Sequence, residues 1–123
     1  MVLLDSSAIL AYLWGEPGWE TVQAHLNDAT TACTVVNWAE VAAKVFAHGG
    51  DWGAAEAALL GQGLEIATVE PEDAVTAARL WCAHPALSLG DRFCLAVGER
   101  LDADVVTADR AWLGVSARVS SVR

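Results

Sequence analysis

The chain has 123 residues, 54% hydrophobic and 19% charged, which suits one packed domain over residues 1–123 and leaves no room for a second. Its net charge of −9, with seven Lys and Arg against sixteen Asp and Glu, excludes a protein that grips nucleic acid through a broad basic surface. No apolar run approaches the roughly 18 residues of a membrane span, and the basic start and cleavage region of a secretory signal are missing, so a cytoplasmic protein without a membrane partner is expected.

The opening VLLD (2–5) reads as a short apolar strand ending in an acid, and Ile9, Leu10 and Leu13 recur at helical spacing behind it. Gly15 to Gly18, with Pro17, breaks that helix, and Trp19, Val22 and Leu26 mark one face of a second. TACTVV (31–36) resembles a buried strand, after which Asn37 is placed to cap a helix running to about His48, with Gly49 and Gly50 as its stop. Asp51 can cap a further helix to about Leu60, and LEIATV (64–69) predicts the third strand. Pro71 suits a first helical turn, and Ala74, Ala77, Ala78 and Trp81 carry that helix toward His84 and Pro85. SLGDRFCLAVGERL (88–101) gives another helix, DVVT (104–107) the fourth strand, residues 108–113 a short turn or helix, and SARVSSV (116–122) a weaker fifth strand. Strands alternating with helices of this length predict a parallel sheet covered by helices on both faces, an α/β sandwich.

In such a sheet the carboxyl ends of the strands share one edge, where ligands bind. Asp5 ends the first strand, Glu40 is expected three residues into the helix after the second, and Thr107 and Asp109 follow the fourth. Asp91 opens a helix that runs back to feed the fourth strand, so its first turn belongs on the same edge. Each acid also fits a helix cap. Asn37-Trp38-Ala39-Glu40 and Ser88-Leu89-Gly90-Asp91 have capping-box spacing, and Asp5 and Asp109 precede turns that they could cap. Taken together, four carboxylates converging on one edge repel one another, and a divalent cation compensates that charge best. Oxygen donors without a His or Cys cluster favour Mg²⁺ or Mn²⁺.

LDSSAIL (4–10), NWAEVAAKV (37–45), SLGDRFCLAV (88–97) and VVTADRAWL (105–113) together resemble the PIN-domain family, particularly the VapC toxins of type II toxin–antitoxin pairs. The likeness spans the chain in order and spacing. It implies a three-layer fold on a five-stranded parallel sheet. It also implies a magnesium- or manganese-dependent endoribonuclease, a hydrolase that inhibits translation, with acids at Asp5, Glu40, Asp91 and Asp109. The hydroxyls of Thr107 and Ser6 are implied to help orient a carboxylate or water. A cognate antitoxin occupying a groove near the acids and a homodimer are implied partners. On this basis Asp5 and Asp91 are expected as the main metal ligands, with Glu40 and Asp109 completing the set directly or through water. Arg92 and Arg110, each beside an acid, suit either phosphate contact with RNA, contact with an antitoxin, or surface ion pairs.

Other features carry less. Cys33, Cys82 and Cys94 are irregularly spaced and odd in number, and buried reduced thiols are expected. The six tryptophans sit beside Ala and Leu, which suits core or partner packing, and Trp14, Trp19 and Trp38 could line an apolar groove for a partner. His25, His48 and His84 have no paired metal spacing. A phosphate-receiver domain would need an Asp after the third strand, where Val69-Glu70-Pro71 stands, and a haloacid-dehalogenase-like phosphatase a second acid at Ser7. A PIN-like domain without catalysis, serving as a protein-binding module, is the remaining alternative.

Overall fold

Val2, Leu3 and Leu4 are all buried, yet they belong to two different cores, because successive strand residues point to opposite faces of a sheet. The computed structural model describes residues 1–123. Its strands are β1 (Val2–Leu4), β2 (Thr31–Thr34), β3 (Glu65–Ala67), β4 (Asp104–Thr107) and β5 (Val119–Ser121), all parallel in the order β3-β2-β1-β4-β5. The helices are α1 (Ser6–Trp14), α2 (Trp19–Asp28), α3 (Val35–Ala47), α4 (Trp52–Gly61), α5 (Pro71–Ala83) and α6 (Leu89–Leu101), with a 3₁₀ turn at Arg110–Trp112. None is long and apolar enough to cross a membrane.

One core joins Val2, Leu4, Cys33 and Val106 of the sheet to Ile9, Val22, Val41 and Leu59, so α1 to α4 cover this face. The other joins Leu3, Ala32 and Val105 to Cys94, Leu95, Val97 and Trp112, so α6 and the 3₁₀ turn cover the second face, with α5 packed alongside α6. The fold is the expected α/β sandwich. Asp73, buried in the first turn of α5, accepts from the Glu70 backbone N–H and pairs with Arg100 at 2.9 Å, locking α5 to α6.

From β1 the chain winds outward through β2 to β3, then returns to place β4 on the other side of β1. Such a reversal opens a crevice at the strands' carboxyl ends. Asp5 and Thr107 flank it, following β1 and closing β4.

Three local expectations are corrected. The second strand stops at Thr34, and Val35 and Val36 form the first helical turn instead. Their β-branched side chains suit a strand, but Thr34 Oγ1 accepts the Asn37 N–H at 3.0 Å and starts the helix there. Asn37 is therefore inside α3 rather than its cap, and Glu40 lies six residues in, not three. The third and fifth strands are shorter than expected, three residues each at the sheet's two edges, where only one side pairs. Cys82 is exposed, whereas Cys33 and Cys94 are buried.

Candidate active site

Asp5 is built into the site by three separate needs of the backbone. It follows β1, its N–H bonds to Val106 O at 3.0 Å, and its Oδ1 caps α1 by accepting the Ala8 N–H at 2.8 Å. Ser7 Oγ lies 2.8 and 2.9 Å from its two oxygens, and Thr107 Oγ1 donates to Oδ2 at 2.6 Å. Ser7 and Thr107 have one hydroxyl proton each, and both are directed to Asp5. Their lone pairs then accept the backbone N–H groups of Ala108 at 2.9 Å and Asp109 at 3.0 Å. The first and fourth strand ends are thereby stitched together through one carboxylate.

Three donors would ordinarily depress a carboxyl pKa, but Asp5 is only 2% exposed and has no cationic neighbour. Loss of solvation wins, with the Asp91 charge adding a little, and the Asp5 pKa is pushed up to about 6. The ion pairs of the molecule, Arg100–Asp73, Arg118–Asp102 and Arg123–Glu16, all lie elsewhere.

Glu40 reaches the same edge from α3. Its Oε1 accepts from Asn37 Nδ2 at 2.6 Å, and its carboxylate lies against Gly90, where a Cβ would stand 2.6 Å from Oε1 and 2.7 Å from Oε2. Asp91, next along α6, closes a capping box: Oδ2 accepts the Ser88 N–H at 3.0 Å and the Asp91 N–H donates to Ser88 Oγ at 3.1 Å. The Cys94 thiol is pushed well above its ordinary range, first by burial and then by charges that include Asp5, Asp91 and Glu40.

Asp109 stands at the exposed rim. It caps the 3₁₀ turn by accepting the Ala111 N–H at 2.9 Å and touches the cluster through its own N–H on Thr107. Ser6, expected beside the first acid, makes no side-chain hydrogen bond; the hydroxyl at Asp5 belongs to Ser7, one residue further into the helix. Arg92 donates to Leu87 O at 3.3 Å and Ala77 O at 3.0 Å, so it fastens α6 to α5 instead of forming an ion pair. Arg110 is exposed, with Nε on the carbonyl of Arg123 at 2.9 Å.

Ser7, Asn37 and Gly90 were not singled out from sequence for this site. The Asn37–Glu40 spacing is legible as a capping box, but with α3 beginning at Val35 the pair lies inside the helix and Asn37 serves the Glu40 carboxylate through its side-chain amide instead. The donor chemistry fits a hard divalent cation: carboxylate oxygens of Asp5, Glu40 and Asp91, no usable His, and no positive side chain to compete. It is not a ready-made cage, since no three His, Cys, Asp or Glu side chains stand close enough to hold a metal without adjustment or bridging water.

Of the tryptophans, Trp112 is buried, Trp38 packs edge-on against Trp52 with ring centroids 4.9 Å apart, and Trp14, Trp19 and Trp81 are exposed. Trp14 also packs on His48 at 4.7 Å.

No curated protein sequence matches the chain significantly. Its fold is similar to a chain of a toxin–antitoxin complex from Klebsiella pneumoniae, with a TM-score of 0.81 at 16% identity, covering 100% of this chain and 98% of that one. VapBC2 of Rickettsia felis, bound to a DNA fragment from its promoter, gives 0.73 at 12% identity over 98% of both chains. VapC20 of Mycobacterium tuberculosis, a sarcin–ricin-loop-cleaving toxin, gives 0.72 at 15% identity over 89% of this chain and 91% of that one. Residues 2–117 match the sequence model of the PIN domain, so with the parallel sheet and the acid-lined edge already described, the chain belongs to the PIN-domain family.

Proposed function

We propose that the protein is a divalent-metal-dependent endoribonuclease of the VapC type, acting as the toxin of a toxin–antitoxin pair and lowering translation by cutting RNA. The observation that carries this reading is the buried, hydrogen-bonded Asp5 at the strand-end crevice, with no basic side chain beside it and with the Glu40 carboxylate lying against Gly90, one residue before Asp91. Burying a carboxylate where no basic side chain offsets it costs stability, which is characteristic of a site shaped for a ligand.

Asp5 and Asp91 are assigned as the principal ligands of Mg²⁺ or Mn²⁺, with Glu40 and the rim acid Asp109 completing the set directly or through water. When bound, such a cation supplies a water of lowered pKa and offsets charge on the scissile phosphate. The chain's own part is orientation. Thr107 and Ser7 fix both oxygens of Asp5, Ser88 fixes one oxygen of Asp91, and Asn37 fixes one of Glu40. Arg110, exposed beside Asp109, is assigned to the RNA phosphate or to an antitoxin; Arg92 is engaged within the fold.

Likeness to the toxin–antitoxin structures supports an antitoxin as the protein partner. Exposed Trp14, Trp19 and Phe46 supply apolar surface for an antitoxin or for the second copy of a homodimer. A protein of this kind works in the cytoplasm, where its RNA substrate is. The competing reading, a PIN-like domain that only binds protein, draws on the capping roles that Asp5, Asp91 and Asp109 already fill.

Incubating partner-free protein with transfer RNA and total RNA in Mg²⁺ or Mn²⁺, with EDTA and Asp5→Asn controls, separates the two. Discrete fragments absent from both controls support the nuclease. A folded sample that binds no Mn²⁺ and leaves every RNA intact leaves only the protein-binding module.

A further inference from the structure

Asn37 is fully buried, and its side chain does nothing for the start of α3, because Thr34 Oγ1 already takes the Asn37 backbone N–H. Its amide instead divides unequally. Nδ2 donates to Glu40 Oε1 at 2.6 Å, while Oδ1 is buried without a partner. An ionised carboxylate only accepts, so service to Glu40 sets which end of the amide faces it and leaves Oδ1 unpaired. A residue there for packing alone would be apolar, with no polar atom to bury.

The opposite side of the same carboxylate is set by Gly90. Both Glu40 oxygens occupy the space that a Cβ at position 90 would fill, so any other residue there must push the carboxylate away. Glu40 is thus held between an amide from its own helix and the bare backbone of α6, one residue before Asp91.

Resting on the nuclease reading above, we propose that Asn37 and Gly90 are positioning residues that clamp the Glu40 carboxylate against the first turn of α6, so that Glu40 and Asp91 serve one divalent cation. Neither residue touches the cation or the RNA. The α6 N-terminus adds to the clamp by favouring negative charge near it. The clamp joins two helices that pack across the sheet edge, and it uses a buried polar atom and a helical glycine that have no other evident use in the fold.

The test measures Mn²⁺ affinity by calorimetry, with thermal unfolding alongside, on Asn37→Leu, Gly90→Ala, Glu40→Gln and the two double variants with Glu40→Gln. Each of the first two should weaken Mn²⁺ binding about tenfold, the loss typical for a residue that orients a metal ligand. Gly90→Ala should not lower the unfolding temperature, because Ala is a better helix former than Gly; Asn37→Leu removes an unpaired buried oxygen but also the Glu40 hydrogen bond, so its affinity is compared below its own unfolding transition. In the Glu40→Gln background both effects should disappear, as expected only for residues acting through Glu40. Unchanged affinity in the single variants, or the same loss in the Glu40→Gln background, overturns the clamp. Should Asn37→Leu not fold, Gly90→Ala decides alone. A metal-free check is the Asn37 side-chain amide in a ¹⁵N spectrum, which should shift in Gly90→Ala and would stay put if the glycine does not set the carboxylate. Wild-type protein that binds no Mn²⁺ sinks the nuclease reading and the clamp with it, whereas binding that ignores both substitutions sinks the clamp alone.

Discussion

Asp5 caps a helix and ties two strand ends together, yet it does so as an acid whose charge the fold opposes. Its pKa of about 6 lies above the ordinary 3.8, chiefly because burial removes its solvation. A folded-state pKa raised above the unfolded value means that the folded protein binds the extra proton between about pH 4 and 6. Stability from this group is therefore fully present below that window and lost as pH rises through it; two units correspond to about 3 kcal/mol. Asp5→Asn keeps an oxygen for the Ala8 N–H and removes the charge, so it should stabilise the protein by about 1–3 kcal/mol at pH 7.5 and by little below pH 4. Denaturant unfolding at both pH values measures this, and a variant less stable than wild type at neutral pH would remove desolvation as the dominant effect. Thr107→Val should lower Mn²⁺ affinity about 10-fold or more, because it strips Asp5 of its shortest hydrogen bond and leaves the Asp109 N–H unpaired. Retained affinity would reduce Thr107 to a link between strands.

At the scale of elements, α5 and α6 are held by a contact of opposite character, an acid that the fold does compensate. Burial raises the Asp73 pKa, but the Arg100 guanidinium and the Glu70 N–H outweigh it and hold the carboxyl below its usual range. This stability is present at neutral pH and lost as pH falls through the lowered value. Arg100→Met should thus lower the unfolding temperature by several degrees at pH 7, with the deficit shrinking in acid as Asp73 protonates. Equal deficits at both pH values would point to lost packing of the Arg100 stem instead. These elements also show what the sequence made legible. Strand and helix order, the edge shared by Asp5, Glu40 and Asp91, and the Ser88–Asp91 capping box all follow from periodicity and spacing, which are local. The start of α3 was missed because Val35 and Val36 suit either state, and a single hydroxyl at Thr34 decides between them. Ser7 and Gly90 were illegible for another reason. Their importance lies in contacts with Thr107, Ala108 and Glu40, between 50 and 101 residues away, which no spacing pattern encodes.

The whole molecule carries a charge of −9, and its cations are largely spoken for. Arg100, Arg118 and Arg123 are in ion pairs and Arg92 is held by two backbone carbonyls, which leaves Lys44, Arg79 and Arg110 of the seven Lys and Arg, the last with only its Nε engaged, on the exposed Arg123 carbonyl. A divalent cation at the acids should therefore act on stability as well as chemistry. Mn²⁺ at one hundred times its dissociation constant should stabilise the fold by about 2.7 kcal/mol, and NaCl at matched ionic strength by much less. Equal effects of the two salts would mean general screening and no site.

On the proposed nuclease reading, the same scarcity limits how RNA is held. Each phosphate neutralised by Lys or Arg contributes about −0.7 to the slope of log affinity against log salt for a single strand. Three available cations set that slope near −2 at most for an isolated protomer, shallow for a nucleic-acid enzyme. Affinity of the wild-type protein for a non-cleavable RNA analogue, measured across a range of NaCl at fixed Mn²⁺, gives the slope directly. A value near −2 that falls by about one contact in Arg110→Ala assigns that arginine to phosphate and leaves recognition to the cation and local shape. A slope several-fold steeper requires basic groups that one copy does not have free, and the RNA footprint must then extend onto a second protomer.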